Sequence, residues 1–193
     1  MSDSVIKFRA ETRTSSELLQ RIGANVYVAD SQAGLFYKVT PDGTQATVGS
    51  GFYMPMSVAV DKAGNVYAAD PWNGFVAKIT PDGAQTTLGG GYNSPVGVAV
   101  DRAGNVYVAD TYNSAVFKIA PDGTQTTLGA GLVAPQYVAV DRSGDLYVTD
   151  TGTNSLVFVR GWTCRFQSWG CTNSNVTISP HSIHRECARP MTE

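Results

Sequence analysis

The stretch Pro95-Val-Gly-Val-Ala-Val-Asp-Arg-Ala-Gly-Asn-Val-Tyr-Val-Ala-Asp110 decides the fold of this chain. Two short apolar runs, rich in valine and tyrosine, flank an Asp-Arg-Ala-Gly turn, and such residues are common in strands. Because the connection is so short, the two runs should pair as antiparallel strands. A Pro-Asp-Gly turn then separates two further strand-like runs. The segment therefore predicts four consecutive antiparallel strands, at residues 98–101, 105–110, 115–120 and 124–128.

The same pattern recurs every 40 residues along the chain. An aspartate closes the second strand of each copy, at positions Asp30, Asp70, Asp110 and Asp150. The Pro-Asp-Gly turn and the Val-Ala-Val-Asp run keep the same spacing. Four antiparallel strands in about 40 residues, repeated in tandem, are the unit of a β-propeller blade.

The repeat resembles the NHL repeat, because residues 95–110 followed by Ala115-Val-Phe-Lys-Ile119 are similar to the NHL pattern. The resemblance covers residues 24–159 and extends to bacterial NHL propellers such as the sensor domains of receptor serine/threonine kinases. It implies an all-β propeller of about four NHL-type, four-stranded blades. NHL propellers generally have more blades, so the chain is expected to form a four-bladed ring, an incomplete ring or a fragment of a larger propeller. One departure is that Asn73-Gly and Asn113-Ser lack the arginine that usually follows asparagine in this family.

Three regions are predicted along the chain. Residues 1–23 form an N-terminal extension, either a short helix that a Thr14-Ser-Ser-Glu17 capping box starts or a degenerate innermost strand at 18–21. Residues 24–160 form the blades. Residues 161–193 form an atypical tail, which either supplies the outer strand of the fourth blade from residues 164–169 or is unrelated to the repeat.

The tail holds every cysteine and histidine of the chain. These residues could form a zinc site, or two of the cysteines could form a disulfide, but their spacing matches no common zinc motif. They are Cys164, Cys171, His181, His184 and Cys187.

Charge and hydropathy exclude several classes of protein. The net charge is −2 with no basic block, which argues against a nucleic-acid partner. No run approaches the roughly 20 apolar residues that a membrane span needs. The first residues have no apolar core of a signal peptide. We therefore expect a cytoplasmic protein as the sequence is given, although related propellers are often extracellular.

The candidate binding residues lie in loops that strand order places on one face of the propeller. This face combines the loops between second and third strands with the loops that join successive blades. Variable loops on a rigid scaffold commonly carry binding, and aromatic side chains commonly anchor interfaces. The alternative is that these rings cap the blades. The predicted binding residues are Phe52, Tyr53, Trp72, Asn73, Tyr92, Asn93, Tyr112 and Asn113.

The repeats offer no evident catalytic group. A base that works near neutral pH is most simply a histidine, as in related propeller lyases, and residues 24–160 contain none. The repeated aspartates are predicted to accept backbone hydrogen bonds in the turn that follows each of them, because a residue present in every blade more often serves the fold. We therefore predict no catalytic residue, no metal ligand and no cofactor. The alternative is a divalent cation such as calcium, as related lactonases use.

Together these patterns favour a non-enzymatic binding or sensor scaffold that holds a protein or small-molecule ligand on the loop face. One alternative is a metal-dependent propeller lyase or lactonase. Another is a partial propeller that assembles with itself through open blade edges, because unpaired edges favour association.

Overall fold

The computed structural model describes residues 25–128, 131–159, 175–179 and 182–183, and these residues form sixteen strands in four antiparallel sheets. The all-β propeller-blade prediction is confirmed. Among the residues that the structure describes, no helix has the length and apolar character needed to cross a membrane.

Each sheet is one blade, and its strands follow one another in chain order from one edge to the other. Blade 1 contains β1 (Val26–Asp30), β2 (Leu35–Val39) and β3 (Gln45–Thr47). Blade 2 contains β4 (Ser57–Val60), β5 (Val66–Asp70), β6 (Phe75–Ile79) and β7 (Gln85–Thr87). Blade 3 contains β8 (Pro95–Val100), β9 (Val106–Asp110), β10 (Ala115–Ile119) and β11 (Gln125–Leu128). Blade 4 contains β12 (Pro135–Val140), β13 (Leu146–Asp150), β14 (Ser155–Val159), β15 (Asn175–Ser179) and β16 (Ser182–Ile183).

The turn between the first two strands of a blade depends on an aspartate and a glycine. In blade 3, the Asp101 carboxylate accepts hydrogen bonds from the backbone N–H groups of Ala103 and Asn105, both at 2.9 Å. Gly104 completes the turn with φ of 86°, a left-handed conformation that glycine adopts without a steric penalty. Asp101 therefore lies in the predicted Asp-Arg-Ala-Gly turn, and β8 ends at Val100, one residue before the predicted strand end.

The hydrophobic core lies between blades. In each of three clusters, the side chains of one blade pack on those of the next, joining blades 1 to 2, 2 to 3 and 3 to 4. Tyr67 of blade 2 contributes to the cluster between blades 2 and 3, and Tyr107 of blade 3 to the cluster between blades 3 and 4. Both are almost completely buried. Burial of one sheet face against another is the main stabilising contribution in such an arrangement.

Two joints show how closely the innermost strands approach. A Cβ atom on Gly97 would lie 2.4 Å from the Gln136 carbonyl oxygen of β12, so only glycine fits there. At the equivalent position one blade earlier, the Ser57 hydroxyl accepts a hydrogen bond of 3.1 Å from the Val98 N–H of the next blade.

Glutamine side chains connect neighbouring blades at a greater distance from the innermost strands. Gln85 exchanges two hydrogen bonds with the backbone of Ser50, and Gln125 does the same with Gly90.

The two terminal blades differ from the inner ones. The described part of blade 1 starts with the equivalent of a second strand, and the predicted extension at 1–23 lies outside the described residues. In blade 4, the strand that pairs with β14 is β15 at 175–179. The predicted outer strand at 164–169 and the cysteines and histidines of the tail also lie outside the described residues.

Candidate binding face

The loops that the sequence assigned to one face do lie against one another. The Asn73 side-chain amide donates a hydrogen bond to the Gly51 carbonyl, and the Asn113 amide donates to the Gly91 carbonyl. On the other side of its loop, the Ser114 hydroxyl donates to the Val133 carbonyl at 2.8 Å. Loops 31–34, 50–55, 71–74, 90–95, 111–114, 131–135 and 151–154 therefore form one surface, called the loop face below.

Buried aspartates hold this surface from beneath. The Asp70 carboxylate accepts a hydrogen bond of 2.6 Å from the Tyr53 N–H. The Asn93 N–H is shared between the two carboxylate oxygens of Asp110, at 3.0 and 2.9 Å. Asp150 accepts from the N–H groups of Val133 and Ala134. Each carboxylate thus fixes the loop that leads into the innermost strand of its own blade. These aspartates accept backbone hydrogen bonds, as predicted, but these bonds come from the loop that leads into the blade and not from the turn that follows each aspartate.

Asp30 of blade 1 has a more local role. Its carboxylate accepts hydrogen bonds from the N–H groups of Gln32 and Ala33 in the following turn, at 3.1 and 2.9 Å. This carboxylate is also a backbone acceptor, as the repeat predicts.

The aspartates differ in their electrostatic environment. Burial raises the pKa of Asp110, and hydrogen bonds from Asn93 and Asn113 offset only part of that effect. The carboxylate also acts on its neighbour Tyr92, whose pKa is raised above its usual value by burial and by the nearby charge of Asp110. Both groups lie beneath the loop face.

Two of the predicted aromatic residues pack inside the structure. The Phe52 ring lies edge-on to Phe36, with 4.7 Å between ring centroids, and stacks on Phe75 at 5.6 Å. The Tyr92 ring packs on Phe117 at 5.7 Å, and its hydroxyl donates to the Leu88 carbonyl. These two side chains therefore join neighbouring blades, as the capping alternative expects.

The other three predicted aromatic residues project into solvent. Tyr53 is 61% exposed, Trp72 is 67% exposed and Tyr112 is 73% exposed. No ring contact with another residue is found for these side chains among the described residues. Their use in binding stays a prediction.

The predicted asparagines mainly support the loops. The amides of Asn73 and Asn113 donate to the buried carboxylates of Asp70 and Asp110, at 3.0 and 2.8 Å. Asn93 contributes its backbone N–H to Asp110. These residues shape the loop face, and their exposed side chains could also contact a ligand bound there.

Sequence reasoning missed Val133, which is 52% exposed on the same face. A comparison of repeat positions would have found it. Positions 52, 92 and 132 hold Phe, Tyr and Leu, all apolar and all turned inward. Positions 53, 93 and 133 hold Tyr, Asn and Val, a mixture typical of an exposed position. The mixed position is the one that faces solvent.

The loop face has an unusual charge distribution. Its seven loops contain no lysine, arginine, aspartate or glutamate, and the carboxylates of Asp70, Asp110 and Asp150 beneath it are buried. The opposite face carries the charged turns, including Lys62 and Arg102. The loop face can therefore offer aromatic rings, hydroxyls, amides and backbone groups to a ligand, but no charged side chain.

Metal binding has no evident site in the described part of the chain. Within residues 25–128 and 131–159, no group of three or more histidine, cysteine, aspartate or glutamate side chains is placed to hold a metal ion. The aspartates of successive blades bind their own loops instead.

Sheets of antiparallel strands that pack face to face in succession define a β-propeller. The NHL repeat family model matches residues 92–119, which run from the blade 3 loop to the end of β10. With the 40-residue repeat of the sequence and the order of the blades, this match supports an NHL-type β-propeller. No curated protein matches the sequence.

Solved structures with similar folds include a streptogramin B lyase, with 15% identity and a TM-score of 0.64, over 70% of this chain and 48% of that chain. A chain of the nidogen/laminin complex has 19% identity and a TM-score of 0.59, over 70% and 56%. Regucalcin from Agrobacterium tumefaciens, a calcium-binding protein, has 18% identity and a TM-score of 0.51, over 60% and 43%. At these identities the likeness shows the fold, and the chain spans about half the length of the structures that it matches. An NHL propeller presents variable loops on a rigid scaffold, which supports binding in general terms.

Proposed function

We propose that this chain is a non-catalytic binding module that holds a protein partner on its loop face. The observation that carries the proposal is the exposure of Tyr53, Trp72 and Tyr112 on one surface whose other aromatic residues are used in packing. Large aromatic side chains that serve no packing role are the typical anchors of protein interfaces.

The composition of the loop face supports a protein ligand. Interface centres are enriched in tyrosine, tryptophan and methionine and depleted in charged residues. The loop face has this composition and is held in shape by buried Asp70, Asp110 and Asp150. A preorganised surface loses less conformational entropy on binding.

A peptide library displayed on phage, selected on the immobilised full chain, tests this function. Peptides that emerge should bind the Trp72→Ala/Tyr112→Ala double variant at least about tenfold more weakly, because interface anchors typically contribute 2 kcal/mol or more. Isothermal titration calorimetry with one synthetic peptide measures the change. The same melting temperature in wild type and variant would show that the fold is intact.

A matched control lies on the opposite face. The Lys62→Ala/Arg102→Ala variant alters two exposed side chains in the charged turns and should bind the peptide as the wild type does. If the peptide instead prefers the charged turns, or binds the aromatic variant unchanged, the proposed face is wrong. A selection that yields no binding peptide would contradict a protein partner and favour a small-molecule ligand.

The proposal includes no cofactor, and the alternative of a divalent cation can be tested separately. The melting temperature of the protein should be the same after treatment with EDTA and after addition of calcium, since a cation that binds only the folded state would raise it. A shift of several degrees would favour the metal-dependent lyase or lactonase. The cytoplasmic location stays a prediction.

A further inference from the structure

The loop that leads into the innermost strand of blade 3 differs from its two equivalents. Ser94 in this loop has φ of 67°, a left-handed conformation that is unfavourable for residues other than glycine. The equivalent residues are Met54 in blade 2 and Ala134 in blade 4, and neither has a positive φ. The strain at Ser94 is therefore specific to blade 3 and is not required by the repeat.

The peptide unit between Asn93 and Ser94 makes different contacts from its equivalent in blade 4. In blade 4, the Ala134 N–H donates to the buried carboxylate below it at 2.7 Å. In blade 3, the Ser94 N–H makes no such bond with Asp110 among the residues that the structure describes. The Asn93 carbonyl, in the same peptide unit, accepts a hydrogen bond of 3.1 Å from the Tyr112 N–H. The strained conformation thus replaces a contact with a buried aspartate by a contact with Tyr112.

Further hydrogen bonds fix the backbone on the N-terminal side of Tyr112. The N–H of the preceding Thr111 donates to the Ser94 carbonyl at 3.0 Å. The Thr111 hydroxyl donates to the Pro135 carbonyl of blade 4 at 2.8 Å, in a buried position. Within residues 25–128 and 131–159, the N–H of Trp72, at the equivalent position of blade 2, makes no backbone hydrogen bond.

A second left-handed serine fixes the backbone on the other side of Tyr112. Ser114 has φ of 52°, at a position that is glycine in blades 1 and 2, and its hydroxyl donates to the Val133 carbonyl at 2.8 Å. Between them, the Asn113 amide donates to the Gly91 carbonyl at 2.8 Å. Every residue of this loop is thus bonded to a neighbouring loop, and the Tyr112 ring remains 73% exposed.

Trp72 lies at the same repeat position in blade 2, on a loop with fewer such bonds. Pro71 before it has no N–H, and Gly74 after it has no hydroxyl. Among the residues that the structure describes, only the Asn73 amide bonds this loop to a neighbouring loop, at the Gly51 carbonyl. A side chain on a fixed backbone loses less conformational entropy on binding than one on a looser loop. The two exposed rings are therefore not equivalent as anchors.

We propose that Tyr112 is the principal anchor of the loop face and that Ser94 positions it. The proposal rests on the binding function proposed above and states where on the face the binding energy is concentrated. The left-handed Ser94 directs a backbone carbonyl to the Tyr112 N–H and so holds the ring in place before a partner arrives. The next loop, bonded to Ser114, carries the exposed Val133 side chain. The partner segment that fits this part of the face is therefore apolar and uncharged.

Calorimetric titration of single variants with a peptide selected on the full chain tests the anchor. Tyr112→Ala should weaken binding at least about 30-fold, whereas Trp72→Ala should weaken it less than about fivefold. Because tryptophan has the larger ring, buried area alone would predict the opposite order. An equal or larger loss of affinity in Trp72→Ala would overturn the anchor and leave the binding function in place.

Two substitutions at position 94 separate positioning from a purely structural role. Ser94→Gly keeps the left-handed conformation accessible and should bind the peptide as the wild type does. Ser94→Val adopts that conformation only at a high steric cost and should weaken binding about tenfold. Hydrogen exchange of the Tyr112 amide should be slow in the wild type and in Ser94→Gly and fast in Ser94→Val, where the amide loses its acceptor.

Several outcomes would overturn the positioning role of Ser94. A Ser94→Val variant that binds normally with a protected Tyr112 amide would do so. A Ser94→Gly variant that binds as weakly as Ser94→Val would also do so, because the left-handed conformation would then not be what matters. Peptides that bind the Trp72→Ala/Tyr112→Ala variant unchanged would instead overturn the proposed binding function, and the anchor with it. The hydrogen-exchange measurement needs no peptide, so rapid exchange of the Tyr112 amide in the wild type would by itself contradict the fixed backbone.

Discussion

At the scale of single residues, the buried aspartates explain how uncharged loops keep a fixed shape. Asp110 is fully buried and accepts hydrogen bonds from the Asn93 N–H and the Asn113 amide. Because burial removes water from the carboxylate, these protein donors supply the hydrogen bonds that water would otherwise make. The same arrangement beneath three loops makes the loop face a property of the repeat.

Removing one carboxylate should therefore be costly. Asp110→Ala leaves the Asn93 N–H and the Asn113 amide without their acceptor and should lower the free energy of unfolding by about 2 kcal/mol. Urea unfolding followed by circular dichroism measures the change. Asp122→Ala, in an exposed Pro-Asp-Gly turn, should have little effect. Equal losses of unfolding free energy in the two variants would mean that the buried hydrogen bonds are not the main contribution of Asp110 to stability.

Asp110 and Asp61 should change the pH dependence of the free energy of unfolding in opposite directions. Burial raises the folded pKa of Asp110 above its ordinary 3.8, so its contribution is present below pH 3.8 and lost as pH rises through the folded pKa. Burial alone would also raise the pKa of Asp61, but hydrogen bonds from Asn65, Tyr67 and Ala63 outweigh it and leave the pKa lowered. The Asp61 contribution is therefore present above pH 3.8 and lost as pH falls through the folded pKa.

Urea unfolding at a series of pH values can separate the two. The stability of the wild type relative to Asp110→Asn should fall as pH rises above 3.8. Relative to Asp61→Asn it should rise over the acidic range and level off above 3.8. Parallel curves for the two variants would show that both carboxylates have the same environment, against the structure.

The sequence predicted the members of the loop face better than their orientation. The repeat placed Phe52, Tyr53 and Trp72 in loops of one face, and the structure brings those loops together. The repeat did not show that the Phe52 side chain turns inward and the Tyr53 side chain outward. That choice depends on Asp70, which binds the Tyr53 N–H and so sets the direction of the chain between the two rings.

At the scale of strands, the repeat predicted the blades closely because each strand is bounded by its own turn. In blade 3 the third strand was expected at 115–120 and forms at Ala115–Ile119. The first strand starts earlier than expected, at Pro95, because the chain continues to pair beyond a bulge near Gly97. A bulge adds a residue without a hydrophobic signal, so periodicity does not reveal it.

The close approach of innermost strands predicts a strong effect at one glycine. Gly97→Ala would place a Cβ atom 2.4 Å from the Gln136 carbonyl oxygen and force blades 3 and 4 apart. We expect a loss of about 2 kcal/mol in the free energy of unfolding, as for other overpacked sites. Gly90→Ala, which meets open space, should stay within about 0.5 kcal/mol of the wild type. Thermal and urea unfolding of both variants check this, and a neutral Gly97→Ala would refute the close packing of β8 on β12.

Blade 4 shows where strand prediction from the repeat ends. The 40-residue spacing indicated an outer strand at 164–169, whereas the strand that pairs with β14 is β15 at Asn175–Ser179. The Pro-Asp-Gly turn that fixes the spacing in blades 1 to 3 does not occur after β14. Without that turn, nothing in the sequence specifies how many residues separate the two strands.

At the scale of the whole molecule, the repeat produces an arc with two different surfaces. The turns that contain Lys62, Arg102 and Arg142 carry charge on one side, and the uncharged loop face lies on the other. This asymmetry follows from strand order, because alternate connections of an antiparallel sheet emerge at opposite ends. The joints between blades keep both surfaces in register along the arc.

Hydroxyl-radical footprinting of the free chain and of its complex with a selected peptide tests the central claim, that the loop face binds. In the free chain, Tyr53, Trp72 and Tyr112 should oxidise much faster than the buried Tyr67 and Tyr107. With peptide bound, the three exposed residues should become protected. Equal oxidation rates in the free chain, or protection confined to residues off the loop face, would contradict the account.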